Sequence, residues 1–308
     1  MPPEPVPGPA GSRGLPLEGL LLLCGLTLFW GLNWPIMKIA LADIPPWTFR
    51  TLCLSGGASL LMLLTLVWGG RITFPPALAP RLALVSLFNI TGWHLGSAYG
   101  LLNTTSGRAA IIGYTMPLWA SVLSVLVLKV RVGARETLAL GLGLLALLLL
   151  ASGDLARIGA APLGALFMSL AALSWAIGTV LVKRFAPWPM PVTALTGWQQ
   201  LIGALPVVLG MLLLEPAPDP AAWSWTSILA ATYAVTVAMV FCFTAYFRLV
   251  ELLPAHVAAI STLATPVVGV ISGALMLGEP LGTSELVALA LVVAGLFLIA
   301  RRPTKTRA

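Results

Sequence analysis

Charge is scarce in this sequence. Only 9% of the 308 residues are Asp, Glu, Lys or Arg, against about 25% in a soluble domain. With 59% of residues hydrophobic, a soluble globular fold is excluded and an integral membrane protein is implied. Histidine is nearly absent, with only His94 and His256, and no HExxH or other His/Asp cluster is present. A membrane-embedded enzyme is therefore a distant third reading, and the chain is read as not an enzyme. No GxxxxGK[ST] loop exists, which excludes ATP hydrolysis. A channel would need a filter loop or a charged ring, and neither is visible. Cys24, Cys53 and Cys242 lie in apolar runs without CxxC or metal spacing. They read as small packing residues, so no disulfide framework, metal or cofactor is expected.

What the sequence has in abundance is apolar runs. A hydrocarbon core of about 30 Å needs roughly 20 apolar residues per helix. Runs near 17–40, 46–69, 79–101, 106–129, 134–152, 161–185, 191–214, 223–249, 254–277 and 282–301 meet that need. They predict an all-α protein of ten transmembrane helices with short connections. Residues 1–16 are Pro/Gly-rich and read as a disordered tail. The run that follows has no small-residue cleavage site, so it reads as a retained first helix. Of the 17 Lys and Arg residues, all but Lys38, Arg50, Arg108 and Arg157 fall on the side of the even-to-odd loops and the termini. The positive-inside rule then makes both termini cytoplasmic. The net charge of +7 belongs to these loops and headgroup contacts, and no nucleic-acid partner is expected.

The chain also repeats. "PLWASVLSVLVLKVRVGARETLALGLGLLALLLL" (117–150) aligns without gaps with "PVVGVISGALMLGEPLGTSELVALALVVAGLFLI" (266–299). Upstream, "LFWGLNWPIMK" (28–38) aligns with "LSWAIGTVLVK" (173–183), which matches Trp30 to Trp175 and Lys38 to Lys183. The predicted organisation is a first five-helix repeat (17–152), a linker (153–160), a second repeat (161–302) and a basic tail (303–308). Five is odd, so the halves insert with opposite orientation. Inverted repeats are a recurrent plan of secondary transporters, with the substrate near the midplane.

The "TPVVGVISGALMLGEPLG" stretch (265–282) and "ELVALALVVAGLFLIA" (285–300) resemble the EamA-type members of the drug/metabolite transporter superfamily. The resemblance covers residues 17–302 and is most specific around Pro266 and Glu279. The first half departs from it: the position matching Glu279 is Val130, followed by Arg131. The aromatic-rich first, third and sixth spans resemble the YddG-type bacterial amino-acid exporters. The resemblance implies a carrier in the bacterial inner membrane. It also implies a small-molecule substrate, with export of amino acids, including aromatic or other neutral ones, or of related metabolites. A sugar-phosphate, nucleotide-sugar or drug carrier of the same superfamily is the alternative. The basic residues lie at span ends, which argues against phosphate substrates.

All ten acidic residues lie at span ends or outside the spans. Ion-coupled carriers need a buried group to bind the cation, so facilitated diffusion is expected. Ionisable and polar groups at membrane depth default to functional candidates. His94 sits at mid-depth, with Ser97 on its helical face. Trp30, Asn33, Trp34, Trp93, Tyr114, Trp175 and Thr179 are the other candidate cavity-lining residues, each with packing as the competing reading. Trp30 and Trp175 are expected to line one central cavity. Pro35, Pro117 and Pro266 interrupt helical hydrogen bonding and are candidate hinges, with matched bends expected at Pro117 and Pro266. Lys38, Arg108 and Lys183 either snorkel to headgroups or stand at cavity mouths.

Overall fold

The computed structural model describes residues 17–129, 134–155, 163–252 and 255–300. The predicted tails 1–16 and 303–308, linker residues 156–160, and Val130 and Arg131 lie outside the described residues. The rest forms ten helical rods and no strand. The first half contains α1 (Leu17–Asp43), α2 (Pro46–Val67), α3 (79–102), α4 (106–128) and α5 (Ala134–Leu155). The second contains α6 (Leu163–Arg184), α7 (Val192–Leu214), α8 (225–252), α9 (Ala255–Leu277) and α10 (Thr283–Ala300). Helix α5 runs three residues into the segment read as linker. Among the described residues, six stretches are long and apolar enough to cross a membrane, and three shorter apolar helices accompany them.

The packing is that of a protein dissolved in lipid. Leu126, Leu212, Leu213 and Leu275 are exposed on the outside, whereas Ala40, Ala98, Ala109, Ala171, Ala172 and Ala176 are fully buried. Lipid gives no hydrophobic drive between helices, so small residues face inward to let backbones approach.

Helix α1 packs on α8 and α9, and α6 packs on α3 and α4. Helix α2 meets α7 and α8, α7 also meets α3, and α5 meets α10. Exchanging each helix for the one five places away maps these pairings onto one another. The third helix of each half carries a π-helical stretch, Leu87–Gly92 in α3 and Ala234–Phe241 in α8. Such stretches leave backbone carbonyls open to new partners. Ser174 Oγ of α6 donates to the Phe88 carbonyl at 2.7 Å, and Trp30 Nε1 of α1 donates to the Ala238 carbonyl at 3.3 Å.

The two aligned prolines behave differently. Helix α4 breaks at Tyr114–Thr115, immediately before Met116–Leu128, in which Pro117 is the second residue. There Thr115 Oγ1 donates to the Ile112 carbonyl at 2.6 Å, which satisfies the broken turn. Helix α9 runs unbroken through Pro266, as α1 does through Pro35.

Candidate substrate site and the carboxylate-tied end

Four aromatic rings form a run through the interior. Trp34 of α1 meets Trp93 of α3 edge-on at 6.3 Å and Tyr114 of α4 at 6.4 Å. Trp93 meets Trp175 of α6 at 5.2 Å. Four helices, three of the first half and one of the second, therefore contribute to one aromatic wall.

Trp30 is not part of that run. Its ring packs edge-on against Phe243 at 5.6 Å and lies 6.0 Å from Tyr246, both on α8. The aligned pair Trp30 and Trp175 thus occupies equivalent places, not a shared one. Each stands edge-on to the aromatic residue that follows the π-helical stretch in the other half. Thr179 is half-buried on α6, and its neighbour Gly178 lies against Asn89 of α3.

Beside the aromatic wall is a group of buried polar side chains. Asn33 is buried and its Oδ1 has no partner. His94 is 2% exposed, and neither ring nitrogen has a partner. Ser97 donates to the His94 carbonyl at 3.2 Å and accepts from Arg50 Nη2 at 2.8 Å. Sequence reasoning missed Arg50 by counting it among span-end residues. The available signal was its place in "TFRTLC", one turn inside a span.

One end of the bundle is tied together by carboxylates that cap helices from other parts of the chain. It is the end with few Lys and Arg residues in the sequence. Glu215 accepts from the Trp47 and Thr48 amides at 2.9 and 2.8 Å, at the start of α2. Asp43 accepts from the Ser224 amide at 3.1 Å and from the hydroxyls of Ser224 and Ser227, at the start of α8. Glu279 accepts from the Ser106 amide at 2.7 Å, the Ser106 hydroxyl at 2.8 Å and the Gly107 amide at 3.1 Å, at the start of α4. A carboxylate at a helix N-terminus satisfies orphan N–H groups and complements the helix dipole. Gly278, at φ 64°, ends α9 and turns the chain into Glu279. Only a residue without a Cβ takes that conformation at little cost.

The predicted cations at this end are held inward. Lys38 donates to the Thr104 carbonyl at 2.6 Å and to Glu279 Oε1 at 3.3 Å. It lines a cavity of about 570 Å³ together with Asp43, Ser224, Ser227 and Glu279. Arg108 is buried in an ion pair with Glu285 at 2.6 Å. Lys183 is exposed in the last turn of α6, at the opposite end.

Burial pushes the Glu279 carboxyl up, but hydrogen bonds from Ser106 and Gly107 and the Lys38 charge outweigh it and hold it below its ordinary 4.5. A carboxyl lowered on folding contributes stability that is complete above its unfolded value and lost as the pH falls through its folded value. Acidification below pH 4.5 is therefore expected to lower the apparent Tm of the native chain more than that of Glu279→Gln, measured side by side in one detergent.

The sequence profile of the EamA-like transporter family matches the chain twice, over residues 17–152 and 162–301. The chain belongs to that family, and it is a transporter. It is similar to the transporter YoaV of Bacillus subtilis, 26% identical, with 91% of this chain and 95% of YoaV covered. A Salmonella typhimurium protein named "Probable amino-acid metabolite efflux pump" is 28% identical, with 91% and 94% covered. The inner membrane transporter YedA of Escherichia coli is 26% identical, with 92% and 90% covered. A solved crystal structure shares the fold at a TM-score of 0.64 and 18% identity, covering 92% of this chain and 96% of its own. With its apolar helices, the protein is an integral membrane protein of the inner membrane.

Proposed function

We propose that this transporter is an alternating-access carrier that exports amino acids, including aromatic or other neutral ones, and related small metabolites. The aromatic wall of Trp34, Trp93, Tyr114 and Trp175 beside unpartnered polar groups carries the reading. An amino acid has one apolar part and one charged, hydrogen-bonding part, and such a site offers a surface to each. The name of the Salmonella relative supports the same substrate class and the outward direction.

The architecture proposed to carry out this export is ten membrane spans in two inverted five-helix repeats, with both termini cytoplasmic. The two family matches, the pairings preserved on exchange of halves and the paired π-helical stretches support it. On this reading the tied end faces away from the cytoplasm, and its carboxylate caps hold an outer gate shut.

Transport by facilitated diffusion is the proposed energetics. Among the described residues, Asp43, Glu215, Glu279 and Glu285 are all engaged as caps or ion-pair partners at helix ends. None is left in the interior to bind a driving cation. Uptake of radiolabelled neutral amino acids into liposomes holding the purified protein tests the proposal. We expect uptake without a proton or sodium gradient, lowered about tenfold or more in Trp93→Ala by loss of a stacking wall. A strict gradient requirement contradicts facilitated diffusion. Failure of every amino acid contradicts the substrate class.

A further inference from the structure

Arg50 is 1% exposed, the most deeply buried charge among the described residues. Its guanidinium makes contacts only with neutral groups. Nη1 donates to Met37 Sδ at 3.4 Å, Nη2 donates to Ser97 Oγ at 2.8 Å, and Nε has no partner. The Phe49 ring lies 5.0 Å from Cζ. Among the described residues no carboxylate pairs with it. An ion taken out of water without a counter-charge is strongly disfavoured. An arginine one turn inside a span can avoid that cost by reaching for the headgroups. This one points the other way, to side chains of α1 and α3.

His94 makes the same point independently. A neutral imidazole always carries one N–H donor, and here neither nitrogen finds a protein partner. Ser97 joins the two groups, taking a hydrogen bond from Arg50 and giving one to the His94 carbonyl. Two buried donors thus lack an acceptor. Asn33 supplies the complement. Its Oδ1 is an unused acceptor one turn before Met37 on the same face of α1.

We infer that Arg50 and His94 hold the carboxylate of the transported molecule, while Asn33 accepts a hydrogen bond from its donor group. The substrate's remaining surface then meets the aromatic wall, because Trp34 and Trp93 directly follow Asn33 and precede His94 in the chain. A single guanidinium and one imidazole match one carboxylate. They are too few for a phosphate dianion, which needs further cations to balance its charge. The inference rests on the carrier reading and does not require the substrate to be an α-amino acid.

The test is a tryptophan-fluorescence titration of the purified full chain with 3-phenylpropionate, 3-phenylpropionamide and phenyl phosphate. These probes share a ring and differ in the head group. Truncating one partner of a buried, hydrogen-bonded charge pair costs enough to weaken binding about 30-fold or more. The native chain should therefore bind the acid at least that much more tightly than the amide, and Arg50→Gln should lose the difference. Equal binding of acid and amide, binding of neither, preference for the phosphate, or an unchanged preference in Arg50→Gln overturns the inference. If Arg50→Gln does not purify as a folded protein, His94→Gln and the native acid-to-amide ratio decide. Acid selectivity in a protein that moves no amino acid into liposomes would sink the amino-acid reading and leave the carboxylate site standing.

Discussion

Arg108→Leu is expected to destabilise the protein by about 3–5 kcal/mol, the cost of orphaning a buried charge. Adding Glu285→Leu to the same chain should restore most of the loss. Arg108 Nε and Nη2 both donate to Glu285 Oε1, at 2.7 and 2.6 Å. The two side chains are only 11% and 10% exposed. Removing the arginine leaves Glu285 with the Ser284 hydroxyl at 3.0 Å and little access to water. Removing both charges removes the penalty with them, since leucines fill the volume without any desolvation cost. The pair joins the first turn of α4 to the first turn of α10. Its loss should therefore loosen the tied end before the rest of the bundle. Thermal unfolding of the single and double variants in one detergent measures this. A single variant within about 1 kcal/mol of native would mean the pair behaves as a surface ion pair.

Gly178→Leu is expected to abolish transport and to sharply reduce the yield of folded protein. A Cβ at Gly178 would lie 2.5 Å from Asn89 Cβ and 2.7 Å from Asn89 Cα and N. Backbone atoms cannot swing aside as a side-chain tip can. Asn89 is held inside the π-helical stretch of α3 and donates to Gln199 Oε1 at 3.0 Å. Insertion of bulk at such a point exceeds the usual overpacking cost of about 1–3 kcal/mol. Size-exclusion profiles and liposome uptake together read the effect. Gly141 serves as control, because a Cβ there meets nothing within 4 Å, and Gly141→Ala should behave as native.

The helices were legible in the sequence because a bilayer imposes a length that apolar runs must match. The double match to the family profile has its counterpart in the sequence, where Pro, Gly, Trp and Lys recur at fixed offsets. The direction of single side chains was much less legible. Trp30 and Trp175 align, yet which neighbour each faces depends on the rotation of α1 and α6, and an all-apolar helix has no polar face to reveal that rotation. Arg50 was hidden for a related reason. Near a span end, sequence alone does not separate an arginine that snorkels from one that turns inward. The π-helical stretches left no trace in composition. The difference between the broken α4 and the continuous α9 was also invisible, since both carry an aligned proline.

Counterflow in liposomes tests the central claim, that the chain is an alternating-access carrier. Vesicles holding the purified protein are loaded with an unlabelled neutral amino acid and diluted into a trace of the labelled compound. A carrier exchanges one molecule at a time across a site open to one side only. The prediction is a transient accumulation of label above its equilibrium level, with no ion gradient present, that fades in Trp93→Ala. Label that rises only to equilibrium, with no overshoot at any loading, would contradict the account.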